Sequence, residues 1–305
     1  MDAVKKFIYY LRYDRKQLLV SMLTRLSFLF PDKLYLKMLF RLRMGYKLNL
    51  DNPQTFSEKL QWLKLYNRKP EYTQMVDKYE AKKYVAGIIG GEYIIPTLGV
   101  WDSVDDINFD ALPNQFVLKT THGGGNTGVV ICRDKSTFDI SAAKKKLKLS
   151  LKTDIYRLLC EWPYKNVQKR IIAERYISIP GNEDLPDYKF YCFNGEPKYC
   201  QVIADRNSVM TIDFYDNDWT HQPFHGRKGF PFSKAKQPKP IKFHEMWEFA
   251  AKLSAGIPFL RVDFYEVEGS VYFGELTFFP TSGIGGFNPK EWDYKLGSLI
   301  KLPIS

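Results

Sequence analysis

The chain has 305 residues, enough to bury a large core, and its 45% hydrophobic content excludes a disordered polypeptide. A formal charge of +11 favours an anionic partner: a nucleotide, an acidic glycan or a membrane surface. No RNA-recognition signature, zinc finger or basic zipper accompanies that charge, so a nucleic-acid partner is not expected.

The N-terminal stretch FIYYLRYDRKQLLVSMLTRLSFLF is apolar but broken by Arg12, Asp14, Arg15, Lys16 and Arg25. Its uncharged pieces are too short for a bilayer crossing, which needs about 20 residues, and it lacks a signal-peptide layout. Two readings remain open there, a pair of packed helices and a basic amphipathic surface resting on a membrane. Leu34, Leu36, Met38, Leu39 and Leu42 recur at helical spacing, and Thr55 with Glu58 has capping-box spacing ahead of Leu60 and Leu63. Met75 to Val85 reads as one amphipathic helix, with Lys78, Lys82 and Lys83 on its solvated face.

Tyr93 to Pro96 is expected as a short strand, and FVLKT, residues 116 to 120, as a better one. Lys119 stands at its end, before His122, Gly123, Gly124 and Gly125, and the strand GVVIC follows. The order strand, glycine loop, strand is neither a P-loop nor a Rossmann fingerprint, both of which open a helix. Glycines at such a tip let backbone N–H groups approach phosphates, since no Cβ intervenes.

Ser141 to Lys152 is expected as a basic helix capped by Asp139, followed by a strand over residues 170 to 177. In DYKFYCFNGEP, Asp187 and Lys189 share one strand face and Asn194-Gly195 forms a hairpin turn. His221 and His225 are separated by Pro223, which argues against a helical metal pair; they read as loop histidines or substrate contacts. His244 to Ala255 is helical, and a last helix opens near Asn288. The cysteines at 132, 160, 192 and 200 have no CxxC pair and read as buried thiols in a reducing compartment.

The stretch from Arg261 to Gly286, RVDFYEVEGSVYFGELTFFPTSGIGG, concentrates the chemistry. It reads as two strands joined by a turn at Glu268, Gly269 and Ser270. Arg261 and Asp263 share a face of the first strand, Glu275 and Thr277 of the second. A turn of odd length sets Asp263 opposite Glu275 and Arg261 opposite Thr277; an even one separates them. Two carboxylates so close call for a cation between them, and carboxylate with phosphate and water oxygens suits Mg²⁺.

The order of these pieces resembles the ATP-grasp superfamily. DKY near residue 77, VLKTTHGGG, DYKFYCFNGEP, RVDFY and GELTFFPTSG together are similar to its teichuronopeptide-biosynthesis (TupA-like) branch, associated with bacterial surface-polysaccharide genes. The resemblance implies an α+β fold in which two subdomains grip ATP. It divides the chain into an N-terminal helical region over 1–70 and an ATP-grasp module over 71–305. That module comprises a lobe at 71–115, a small subdomain with the glycine lid at 116–185 and a large subdomain at 186–305.

On that resemblance Lys78 and Lys119 contact the nucleotide phosphates, and His122 with Gly123, Gly124 and Gly125 belongs to the lid. Glu174, Arg175, Tyr176 and Ile177 form the adenine hinge, and Asp187 and Lys189 face the ribose and phosphates. Asp263 and Glu275 bind Mg²⁺, with Thr277 where many relatives have asparagine. Arg261, together with Lys189, acts on the transferred phosphoryl group. The implied activity is ATP-dependent ligation of a uronic-acid carboxylate to an amino acid or other amine, through an acyl phosphate. The setting is the cytoplasm, with a peripheral contact at the inner face of the membrane. A glycan kinase using the same nucleotide site, a glycosyltransferase and a non-catalytic polysaccharide-assembly protein are the alternatives.

Overall fold

The computed structural model describes residues 14–124, 127–179, 185–204, 209–226 and 230–303. Helices α1 (Arg15–Arg25), α2 (Asp32–Met44) and α3 (Phe56–Tyr66) come first, then α4 (Glu71–Val76) and α5 (Glu80–Ile89). The α2 helix stops at Gly45, whose φ of 84° suits a left-handed C-cap. The α3 helix starts at the full capping box of Thr55 and Glu58.

Strands β1 (Thr97–Trp101), β2 (Phe116–Thr120), β3 (Val129–Cys132) and β4 (Ile171–Arg175) build a four-stranded antiparallel sheet in the order β1-β4-β2-β3. Helix α6 (Ile140–Leu151), capped by the Asp139 side chain, lays Leu147 into a core with Phe116, Leu118 and Ile171. The short α7 (Ile155–Leu159) follows.

The second sheet is also antiparallel. Its strands are β5 (Asp187–Phe193), β6 (Glu196–Ala204), β7 (Thr211–Tyr215), β8 (His221–Gln222), β9 (Phe259–Val267) and β10 (Ser270–Thr277), in the order β10-β9-β5-β6-β7-β8. Helix α8 (Phe243–Ser254) buries Phe243, Met246, Phe249, Ala250 and Leu253. Phe190 and Phe264 meet it from one face of the sheet, so Lys189 and Asp263, one residue away on each strand, point from the other face. Helix α9 (Glu291–Leu299) packs on α3, where Asp293 accepts hydrogen bonds from the Ser57 N–H and hydroxyl.

Three sequence expectations change. The single helix over Met75 to Val85 is two, because the Asp77 side chain accepts from the N–H groups of Tyr79 and Glu80 and starts a new helix there. Lys78 therefore sits at a break, not on a solvated helix face. Residues 93 to 96 are not a strand; a 3-10 turn over Gly91–Tyr93 leads to β1, which begins at Thr97. The turn between β9 and β10 has two residues, Glu268 and Gly269, both with positive φ, and Ser270 already pairs with Val267. The four cysteines are free thiols and buried.

Helices α1 and α2 share a small core of Val20, Tyr35, Leu36, Leu39 and Phe40 with Cys160. The described part of the N-terminal stretch is therefore one helix, α1, packed on the α2 that follows the stretch, and its residues before Asp14 lie outside the described ones. Among the described residues no helix is long and apolar enough to cross a membrane.

Candidate active site

Three adjacent strands of the large sheet set two rows of polar side chains. Lys189 of β5 pairs with Asp263 of β9, and Asp263 with Glu275 of β10; in the next row Tyr191 pairs with Arg261, and Arg261 with Thr277. The facing of Asp263 and Glu275 was expected from an odd turn, yet the turn is even. A β-bulge between Phe273 and Glu275 adds the residue that restores the register. Gly274 lies at the bulge, where an added Cβ would stand 3.0 Å from the Asp263 carbonyl oxygen and 3.1 Å from the Tyr265 ring.

Arg261 is the cation between the two carboxylates. Its Nε donates to Asp263 Oδ1 at 2.7 Å, and its Nη2 donates to Asp263 Oδ2 and Glu275 Oε1 at 2.7 Å each and to Thr277 Oγ1 at 3.0 Å. Lys189 pairs with Asp187 at 3.2 Å and with Asp263. Asp263 is 1% exposed, whereas the Glu275 side chain is 38% exposed and turns to the cleft. Burial works against ionisation of Glu275, but Lys78, Arg261 and Lys189 outweigh it and hold its pKa at about 2. Burial pushes the Asp263 carboxyl up, opposed by Arg261 and Lys189.

The compensating charge demanded by the paired carboxylates is therefore a guanidinium and an ammonium in this arrangement. Among the described residues no group of three or more His, Cys, Asp or Glu side chains is placed to hold a metal. Two carboxylates and a hydroxyl nevertheless form the sparse oxygen set that suits Mg²⁺ bound jointly with phosphates. Asp263, Glu275 and Thr277 fit that ion on donor chemistry once Arg261 yields its bonds.

The small sheet contributes the opposite wall. Glu174 on β4 is buried between two ammonium groups, Lys119 at 2.5 Å and Lys82 at 2.6 Å. Burial disfavours its charge, and the two lysines nevertheless hold its pKa down. Lys82, assigned on composition to a solvated face, is 9% exposed and also donates to the Ile95 carbonyl at 2.6 Å. The sequence signal that could have found it is its neighbourhood: Ala81 and Val85 lie on the buried side of the same helix. Lys78 is tied to the glycine loop, its N–H donating to the Thr121 carbonyl at 2.9 Å and its Nζ to the Gly123 carbonyl; its Nζ is also 4.0 Å from Glu275.

Between these walls runs a cleft of about 450 Å³, lined by Lys78, Lys82, Lys119, Glu174 and Glu275 at its polar end, with Val76, Ile94, Ile95 and Leu276 among its apolar walls. Not every candidate reaches it. His122 is buried with Nε2 3.2 Å from the Ser150 carbonyl, and burial lowers its pKa. Arg175, last in β4, places its Nη2 3.4 Å from the Tyr272 hydroxyl. Neither residue lines the cleft, nor do Tyr176 and Ile177 beyond the strand. Gly123 and Gly128 have a packing reason: a Cβ on either would stand within 2.5 Å of the Thr120 hydroxyl oxygen. Gly124 has only Ile155 near its Cβ position, at 3.7 Å, and Gly125 lies outside the described residues.

A second cavity of about 230 Å³ lies beside the Arg261 row. Its lining includes Phe56 and Ser57, Tyr191, Gly226 and the loop from Pro280 to Phe287. Of the segments 218–232 and 282–288, Gly226, Gly283, Gly285, Gly286 and Phe287 line this cavity, while 227–229 lie outside the described residues. His221 stands 3.0 Å from Asp213 and His225 stacks on Phe232, and neither lines a cavity described here.

Two antiparallel sheets closing on a lysine-lined cleft define an ATP-grasp architecture. A family model described as TupA-like ATPgrasp matches residues 58–301. The chain belongs to that family, and with it to the ATP-grasp superfamily. No curated protein matches the chain. Among solved structures, it is similar to D-alanine–D-alanine ligase from Helicobacter pylori at 18% identity and a TM-score of 0.40, over 82% of this chain and 70% of that one. For the Bacillus anthracis D-alanine–D-alanine ligase complexed with ATP the values are 16%, 0.41, 74% and 63%. For the ADP complex of N5-carboxyaminoimidazole ribonucleotide synthetase they are 15%, 0.43, 72% and 50%. The chain thus spans between half and seven tenths of the length of these enzymes.

Proposed function

We propose that the chain is a ligase that activates the carboxylate of a uronic acid in a bacterial surface glycan, or in its precursor, and joins it to the amine of an amino acid or another amine. The observation that carries the reading is the position of Arg261. It stands in the row that also holds Tyr191 of the second cavity, and it is bonded to Glu275 of the nucleotide cleft. A phosphoryl group leaving the cleft would meet an acid held in the glycine-walled cavity at that guanidinium.

In this reading Lys78 and Lys119 neutralise the nucleotide phosphates, and Glu174 keeps Lys119 and Lys82 aimed into the cleft. The glycine loop at Gly123 and Gly124 would close over them, and His122, Arg175, Tyr176 and Ile177, which do not line the cleft, would reach the nucleotide only once the two sheets rearrange around it. Asp187 and Lys189 stand toward the ribose and phosphates. Mg²⁺, held by Glu275, Asp263 and Thr277, would spread the phosphate charge. The division of the chain into a helical region, a lobe and two subdomains is part of the same reading.

The test is incubation of the purified chain with MgATP, hydroxylamine and a panel of uronic-acid glycans. Hydroxamate formed in step with ADP is expected, because hydroxylamine traps an acyl phosphate whatever the natural amine. ADP with a phosphorylated glycan and no hydroxamate would make the protein a kinase instead.

A cytoplasmic enzyme resting on the inner face of the membrane is the setting we infer. Residues 14–47 carry eight lysines and arginines against two aspartates, and Leu19, Met22, Leu26, Phe28 and Leu29 there are between 42% and 62% exposed. An apolar stripe flanked by positive charge suits an anionic bilayer. Co-sedimentation with anionic but not zwitterionic vesicles, lost in Phe28→Ser/Leu29→Ser, is the expected result; no sedimentation with either removes the membrane from the reading.

A further inference from the structure

The loop that walls the second cavity holds a conformation its own residues disfavour. Thr281, Ser282 and Gly283 have φ of 48°, 56° and 62° in succession, a left-handed turn that neither Thr nor Ser adopts readily. Such a turn persists only where its surroundings impose it.

Here α3 does so. Lys64 Nζ donates to the Ser282 carbonyl at 2.9 Å, to the Ser282 hydroxyl at 2.6 Å and to the Leu159 carbonyl at 2.9 Å. One turn earlier on the helix, Gln61 Nε2 donates to the Ser282 and Gly283 carbonyls at 3.0 and 3.2 Å. The Gly283 backbone presses so closely on α3 that a Cβ there would stand 2.6 Å from Gln61 Nε2 and 2.9 Å from Leu60 Cβ.

Lys64 is 1% exposed, and Glu161 beside it is 7% exposed. Burial lowers the Lys64 pKa to about 8, with Glu161 and Cys160 opposing. Burying an ammonium is costly and a buried ion pair is poor value for stability, so an apolar pair in place of both Lys64 and Glu161 would serve the fold at least as well. What the lysine supplies and an apolar residue cannot is three directed bonds, two of them to one residue of a strained loop.

We propose that Lys64 is a positioning residue for the acceptor. From α3, and acting through Ser282, it fixes the left-handed turn whose neighbours Thr281, Gly283, Gly285 and Gly286 form the wall of the second cavity. Through Leu159 it ties that wall to the segment preceding Glu161. The role rests on the ligase reading for its functional consequence, but not for its structural one. Lys64 lines neither the nucleotide cleft nor the cavity itself, so it governs acceptor binding without touching either substrate.

The experiment is hydrogen exchange on the full chain and Lys64→Met, following the segment 279–287, with ATP affinity measured on the same samples. The Ser282 and Ile284 amides, bonded to the Phe279 and Thr281 carbonyls at 2.8 and 3.1 Å, are the reporters. Exchange of that segment about tenfold faster, with ATP affinity unchanged, is expected. Adding Ser282→Gly to Lys64→Met should recover protection, because glycine accepts this φ without strain. Unchanged exchange in Lys64→Met overturns the proposal, as does a loss of protection spread over the whole chain. Should Lys64→Met not fold, Lys64→Gln is read by the same criteria.

In the ligase assay the expected signature is a raised KM for the acceptor with kcat largely kept. Altered exchange without any ligase activity would sink the functional reading alone; normal exchange in an active ligase would sink this proposal alone.

Discussion

Asp263 and Glu275 face each other across the β9–β10 ladder although the turn between their strands has only two residues. A two-residue turn in unbroken register pairs Asp263 with Gly274, and the bulge at that glycine moves Glu275 into the opposing place. Because a Cβ at Gly274 would stand 3.0 Å from the Asp263 carbonyl oxygen, Gly274→Val is expected to cost about 1–3 kcal/mol through overpacking. Gly274 also lines the cleft proposed for the nucleotide, so ATP affinity should fall in the same variant. Urea unfolding and calorimetric ATP titration read the two effects; wild-type values in both would mean that the bulge does not set the site.

Glu174 gives the second prediction. It is 5% exposed and neutralised by Lys82 and Lys119 together. Lys82→Met leaves one ammonium against a buried carboxylate, and removing a partner from a buried pair costs about 3 kcal/mol. Lys82→Met/Glu174→Gln should recover part of that loss, since the group whose Oε1 has lost its ammonium partner is then neutral. Denaturation midpoints of the single and double variants decide it, and equal losses in both would show that Lys82 matters only for packing.

These two residues mark how far the sequence was readable. FVLKT, the Thr55 capping box and the Asp139 cap are local patterns, and all three stand where alternation and capping chemistry put them. The Asp77 break was also local, a side-chain cap inside a run of good helix formers, and was missed because periodicity outweighed it. Lys82 was not readable from its own helix, because the partner that buries it lies on a strand of the small sheet. The pairing of Asp263 with Glu275 was reached through a turn length that proved wrong, since no alternation rule shows a bulge. The cation between them came from an arginine on the same strand, whereas charge counting alone pointed to a metal.

The acid limb of stability carries the third prediction. Glu275 has a folded pKa of about 2 against 4.5 as its ordinary value, so its ionised form contributes stability above about pH 4.5. That contribution is lost as pH falls from 4.5 toward 2, because protonation releases the interactions with Lys78, Arg261 and Lys189. Glu275→Gln has no such proton to take up. The stability difference between wild type and this variant should therefore shrink as pH is lowered through that window. Urea unfolding at pH 5, 4 and 3 tests it, and a difference independent of pH would remove the depressed pKa.

Arg261 decides the last prediction, because it occupies with three short bonds the space a divalent ion would share with the two carboxylates. Without nucleotide, the wild-type chain is expected to bind Mg²⁺ or Mn²⁺ weakly, since the guanidinium already balances Asp263 and Glu275. Arg261→Met leaves two carboxylates whose mutual repulsion a divalent ion can relieve. Metal affinity in the absence of ATP should then rise by about tenfold or more, while ligase turnover falls by about 10²-fold or more with the loss of charge stabilisation at the transferred group. Mn²⁺ titration followed by electron paramagnetic resonance reads the first effect and ADP release the second. Tighter metal binding with lost turnover would assign Arg261 both jobs, holding the carboxylates before the nucleotide arrives and serving the phosphoryl group afterwards. Unchanged metal affinity would mean that the carboxylates are not the metal's ligands, and Asp263, Glu275 and Thr277 would then be left as a structural network around the arginine.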